Sequence, residues 1–109
     1  MFLGVAAGAF GAHGLRNVLS DPMKSVYETA VRYQMIHGLA IFVVAWLASR
    51  DPSAGAAQAA GWCFTAGIVL FSGSLYALSL SGLRWLGAVT PVGGLAFLAG
   101  WVFLARVSF

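Results

Sequence analysis

Nine charged side chains stand in this chain of 109 residues, and they leave three long intervals that carry none. Seventeen uncharged residues separate Arg32 from Arg50, thirty-two separate Asp51 from Arg84, and twenty-one separate Arg84 from Arg106. At about 1.5 Å per helical residue, the first and last reach roughly 26 and 32 Å, close to the ~30 Å thickness of a bilayer's hydrocarbon. The middle interval is too long for one crossing, but Pro52, Ser53, Ala54 and Gly55 read as a loop and leave a helix of about 57–80. Composition requires the same environment. Apolar residues make up 61% of the chain and charged ones 8%, against about 45–50% and 25% in soluble domains. So few polar groups cannot cover so small a body in water. A soluble enzyme, a nucleic-acid binder and a disordered tail are thereby excluded. The pI near 9.6 reflects bases scattered singly, not a stripe able to neutralise several phosphates.

The first segment, 1–15, is uncharged, and spans only about 22 Å as a helix. Glycines stand at positions 4, 8, 11 and 14. A signal peptide is the competing reading, but the positively charged start is missing. A short first helix is therefore expected, because backbone in lipid must satisfy its hydrogen bonds internally. The expected architecture is all-α: one membrane-embedded domain over residues 1–109, with four transmembrane helices at about 1–15, 22–49, 57–80 and 85–107. Arg16, Lys24 and Arg84, with Arg32 nearby, flank the 1–2 and 3–4 turns, while Arg50 and Arg106 mark the opposite edge. The positive-inside rule puts those two turns in the cytoplasm and both termini outside, in a bacterial inner membrane.

Residues 16–37 hold three of the six bases and two of the three acids. Ser20-Asp21-Pro22 reads as a helix start, with a side-chain oxygen to cap free N–H groups and a proline suited to the first turn. Helix 2 then begins amphipathically. Lys24, Glu28 and Arg32 form one charged stripe, in which Glu28 and Arg32 are oriented for an i, i+4 pair worth about 0.3–0.5 kcal/mol if exposed. The stripe is either a solvated helix face at the membrane boundary or one wall of a polar pocket or partner interface.

His13 and His37 admit three readings: haem or metal ligands, proton-transfer groups, or hydrogen-bonded interhelical residues. The last needs nothing further from the sequence and is preferred; no cofactor and no metal are expected. Cys63 has no partner and reads as a small buried hydrophobe. Gly4 and Gly8, continued by Ala12, form a small-residue stripe. Gly73, Ala77 and Ser81 form another, and Gly93, Gly94 and Gly100 thin helix 4, which Pro91 should bend near its start. Such residues let helix backbones approach closely in lipid. Trp46, Trp62, Trp85 and Trp101 lie near span ends, as interfacial anchors do.

GAFGAHGL (8–15), ETAVRYQMIHGLA (28–40), LFSGSLYALSLSGLRWLGAVTPVGG (70–94) and LAGWVFLA (98–105) resemble the small membrane-protein family catalogued as domain of unknown function 423, which is related to the animal proteins called transmembrane protein 256. The resemblance implies a four-helix integral membrane protein and no assigned reaction, substrate or cofactor. The family usually carries a longer apolar lead before GAFGAHGL. Its polar positions here, His13, Glu28, Arg32, Gln34, His37, Ser72, Ser74, Tyr76 and Arg84, are expected to converge near the cytoplasmic edge as an interhelical cluster joining helices 1, 2 and 3.

Three functions compete. A non-catalytic structural or accessory subunit, self-associating or part of a larger membrane complex, fits the small size and the close-packing residues. A small transporter or channel would use His13, Glu28, Arg32 and His37, although no acid lies deep in any span. An enzyme is not expected, since Ser72 and Ser74 have no evident base.

Overall fold

The computed structural model describes residues 1–107 and is built from helices alone among them. In chain order these are α1 (Phe2–His13), α2 (Asp21–Arg50), α3 (Gly55–Ser81) and α4 (Thr90–Ala105), the last preceded by a 3₁₀ turn at Arg84–Ala88. The segments Asp21–Arg50, Gly55–Ser81 and Arg84–Ala105 are each long and apolar enough to cross a membrane, while Phe2–His13 is apolar but shorter. The molecule's longest extent is 48 Å, close to the ~45 Å of α2's thirty residues.

Local chemistry sets the helix ends. The Ser20 hydroxyl accepts from the Met23 N–H at 3.4 Å, and Pro22 occupies the first turn of α2, as a capped start requires. After α2, the Asp51 carboxylate accepts from the backbone N–H of Ser53 at 3.1 Å and from its hydroxyl at 2.5 Å, closing the 2–3 turn. Gly82 ends α3 at φ +73° while its N–H bonds the Leu78 carbonyl, a left-handed cap for which glycine is suited. The fourth helix was expected from residue 85 but begins at Thr90. Pro91 has no N–H to give the carbonyl four residues back, and its ring would crowd that carbonyl. The chain therefore takes a 3₁₀ turn first and restarts as α-helix with Pro91 in its first turn.

α3 carries one feature the sequence did not announce. Over Ile68–Ser72 the helix widens to a π turn, closed by the Gly73 N–H on the Ile68 carbonyl. The added residue turns Phe71 toward α4 and Ser72 toward α2.

Small residues stitch the antiparallel neighbours, though not all those expected. On α1, Gly4, Gly8 and Gly11 meet Met35, Val31 and Tyr27 of α2. Ala12, the expected third member of the stripe, is exposed, since a 3.6-residue turn carries a face forward by four and then by three. Between α3 and α4, a ring lies on glycine twice, Phe64 on Gly100 and Phe97 on Gly67, and the backbone of Phe71 lies against Gly93. The Gly73-Ala77-Ser81 stripe packs on no helix; Ala77 and Ser81 are exposed, and a Cβ at Gly73 would meet only the Ile68 carbonyl, at 3.9 Å. Ala40, Val44, Ala60, Phe64 and Phe97 form the buried centre of the α2–α3–α4 unit, and α1 lies against α2 at its side.

Candidate functional site

Polar side chains tie each pair of packed helices. Between α1 and α2, the Tyr27 hydroxyl donates to the Ala7 carbonyl at 2.6 Å. Between α2 and α3, Ser72, fully buried, donates to the Ala30 carbonyl at 2.8 Å, and the Tyr76 hydroxyl donates to Gln34 Oε1 at 2.6 Å. Between α3 and α4, Ser74 and Thr90 share a hydrogen bond of 2.6 Å. Ser74 also donates to the Phe71 carbonyl at 2.9 Å, so Thr90 is the donor of the pair in a consistent assignment. Tyr27 and Tyr76 meet edge to face with centroids 5.2 Å apart. On α2 these groups run over about two turns, from Tyr27 to Gln34, in the half of the helix nearer the 1–2 turn.

His37 lies a turn deeper and joins α2 to α4. It is 4% exposed, its ring stacked on Phe97 with centroids 3.6 Å apart and an interplanar angle of 13°. Trp101 Nε1–H donates to His37 Nε2 at 3.0 Å. Indole N–H is a donor only, so Nε2 is the unprotonated nitrogen, and Nδ1–H donates to the Tyr33 carbonyl at 2.8 Å. The network thus assigns the neutral tautomer with both nitrogens engaged. A proton on Nε2 would face the indole N–H and break the α2–α4 tie. Trp101 makes this contact through its indole N–H while remaining 42% exposed, and Trp46, Trp62 and Trp85 are exposed by 55, 76 and 64%.

The expected cluster is accordingly divided. Gln34, Ser72, Ser74 and Tyr76 are brought together among α2, α3 and α4, with His37 beneath them. His13, Glu28 and Arg32 line a separate groove of about 410 Å³ between α1 and α2, along with Arg16 and Lys24. Arg84 belongs to neither; it is exposed in the other turn of that edge, beside Trp85. The Glu28–Arg32 pair does not close. The one ion pair among the described residues is Lys24 Nζ to Asp21 Oδ1, 3.4 Å, with the Asp21 side chain 96% exposed. Tyr27 connects the two parts, since one edge of its ring lines the groove and another meets Tyr76.

Three contributors to the ties, Tyr27, Thr90 and Trp101, were not among the expected site residues. For Tyr27 the one signal was its place on α2 just outside the Lys24–Glu28–Arg32 stripe. Thr90 and Trp101 had none, because a hydroxyl before proline reads as a cap and a tryptophan near a span end reads as an anchor.

Comparison with known proteins covers the first three motifs and ends before LAGWVFLA (98–105). The family model described as "Protein of unknown function (DUF423)" matches residues 7–94. The UPF0382 membrane protein YwdK of Bacillus subtilis is 52% identical over 79 residues, 72% of this chain and 64% of its own length. The UPF0382 membrane protein SH2409 of Staphylococcus haemolyticus is 48% identical over 79 residues, 72% of this chain and 63% of its own. A UPF0382 membrane protein of Haemophilus influenzae is 45% identical over 78 residues, 72% and 61%. The chain therefore spans somewhat under two thirds of the length of these relatives. No solved structure matches it. With the family model covering most of the sequence, and helices long and apolar enough to span a bilayer, this chain is an integral membrane protein that belongs to the DUF423 family.

Proposed function

We propose that the protein is a non-catalytic membrane component that acts through its surfaces, as an accessory subunit of a larger assembly or as a self-associating bundle. One observation carries this reading. Among the described residues no buried side-chain nitrogen or oxygen lacks a hydrogen-bond partner, and those of His37, Ser72 and Ser74 are used between helices of the same chain. A transporter that binds and releases a solute in its interior needs polar groups free to exchange partners. His37, which the transport reading requires beside His13, Glu28 and Arg32, is instead committed to Trp101 and Tyr33. Meanwhile large apolar side chains such as Phe2, Leu3, Phe42, Leu95 and Leu98 are more than half exposed, on a body only 14 Å across in its thinnest direction. Thin slabs of helix present broad faces to lipid or to other helices, where close packing drives association.

The bacterial relatives and the charge pattern support an inner-membrane location with the 1–2 and 3–4 turns in the cytoplasm. The deciding experiment is purification in mild detergent, with the mass of the protein component compared with the 11.4 kDa of the chain. A discrete multiple of that mass, or a stoichiometric second protein, is expected. A partner-free monomer that moves solute across liposomes, with flux lost on His37→Gln, would overturn the reading.

A further inference from the structure

The α1–α2 groove holds the charged residues that the interior ties leave over. We propose that it is a binding site for an anionic glycerophospholipid, with the headgroup phosphate held by Arg16 and Arg32.

Four observations converge on a lipid. First, the groove is large enough: about 410 Å³, inside the roughly 300–1,000 Å³ of small-molecule sites. Second, its charge is unbalanced, with Arg16, Lys24 and Arg32 opposite the single carboxylate of Glu28. Arg16, Arg32 and Glu28 make no ion pair with any described residue, and Lys24 has only Asp21 out in solvent. Third, the remaining walls are apolar, including Gly8, Leu15, Leu19 and Val31, so an acyl chain and a phosphate would each find a matching surface. Fourth, the level is right. α2 is about 45 Å long against ~30 Å of hydrocarbon, and Arg50 marks one membrane edge. The excess, about ten residues, places Lys24 and Glu28 in the headgroup layer and Arg32 at its boundary with the hydrocarbon. Basic pockets between membrane helices at this depth suit acidic headgroups.

Glu28 decides between lipid and a free anion. Inorganic phosphate, with more charge than a phosphodiester, would lie against an unpaired carboxylate. A phosphodiester carries one charge, and a headgroup hydroxyl can donate to Glu28. The geometry therefore favours a hydroxylated anionic headgroup, for which phosphatidylglycerol is the probe.

The test uses the whole chain in nanodiscs of equimolar phosphatidylglycerol and phosphatidylcholine, with retained lipid counted by native mass spectrometry. One preferentially retained phosphatidylglycerol per chain is expected. At about 1 kcal/mol per basic residue near the headgroups, Arg16→Gln should lower the preference about fivefold, and Arg16→Gln with Arg32→Gln about thirtyfold. Arg50→Gln with Arg106→Gln, at the opposite edge, should leave it unchanged. Arg16 lies in a turn, so its single variant decides the matter even if the double variant loses helix by circular dichroism. Equal retention of both lipids, or equal losses from the two double variants, would overturn the proposal. So would release of the lipid by excess inorganic phosphate, which would identify a soluble anion as the occupant.

Discussion

Gly93 and Gly94 are adjacent on α4 and differ sharply in what a methyl group would meet. At Gly93 it would fall against the backbone nitrogen of Phe71 and within 2.7 Å of its Cα. At Gly94 the nearest atom is Phe71 Cδ2, at 3.8 Å, an ordinary contact. Phe71 backbone cannot swing aside as a side chain can, because it lies in the π turn that the Ser72–Ala30 bond holds to α2. Alanine at 93 must therefore push α4 away from α3 and loosen the ring-on-glycine contacts on either side. Overpacking of this kind costs about 1–3 kcal/mol. The helix-propensity gain of alanine over glycine, up to about 1 kcal/mol, applies at both positions and cancels in the comparison. Gly93→Ala should thus be about 1–3 kcal/mol less stable than Gly94→Ala. Unfolding by sodium dodecyl sulfate in mixed micelles, followed by circular dichroism, measures the gap. Coincident midpoints, or a more stable Gly93→Ala, would show that α3 and α4 do not approach as closely as Phe71 and Gly93 require.

The other ties make separate expectations. In a double-mutant cycle of His37→Phe and Trp101→Phe, the coupling should be about 0.6 kcal/mol and no more than about 1.7, the range for hydrogen bonds between membrane helices; zero coupling would remove the α2–α4 bond. Tyr76→Phe leaves Gln34 Oε1 without its donor and should destabilise by roughly 1 kcal/mol, and adding Gln34→Leu should recover part of that loss in the same unfolding assay. On α1, Gly11→Ala drives a methyl into the Tyr27 ring, whereas Gly8→Ala reaches only Val31 Cγ1 at 3.4 Å. Gly11→Ala should therefore detach α1, seen as faster protease cleavage in the 1–2 turn, while Gly8→Ala should cleave at the wild-type rate.

The spans were legible because charge is so scarce here that each charged residue marks an edge. Ser20, Asp21 and Pro22 likewise announced the start of α2 through capping chemistry that acts within four residues. The π turn was not legible. Ile68, Val69, Leu70 and Phe71 are uniformly apolar, so an inserted residue shifts the face of α3 without leaving a polar marker out of phase. Small-residue stripes predicted close packing but not the partner. Gly4 and Gly8 pack on α2 of the same chain, and the equally regular Gly73-Ala77-Ser81 packs on nothing. Spacing identifies a face that permits approach, whereas tertiary arrangement decides which faces are used. The polar residues were picked out by type, yet their division was hidden. Glu28 and Gln34 sit on one helix six residues apart, about 600° of helical rotation, which leaves them some 120° apart around the axis. One faces the groove, the other Tyr76.

That division also separates stability from function among the residues a mutational survey would find sensitive. Loss of Ser72, Tyr76, Gln34, His37 or Trp101 deprives a partner of its hydrogen bond where no water can replace it, so each should lower the yield of folded protein wherever the protein acts. Arg16, Glu28 and Arg32 are different. They hold no helix to another, make no ion pair with a described residue, and lie in the 1–2 turn or the first half of α2, so their substitution has little folded-state cost. A phenotype at these three with normal abundance therefore points to what the groove binds. A phenotype at the five hydrogen-bonded residues with reduced abundance reports only that the bundle has come apart.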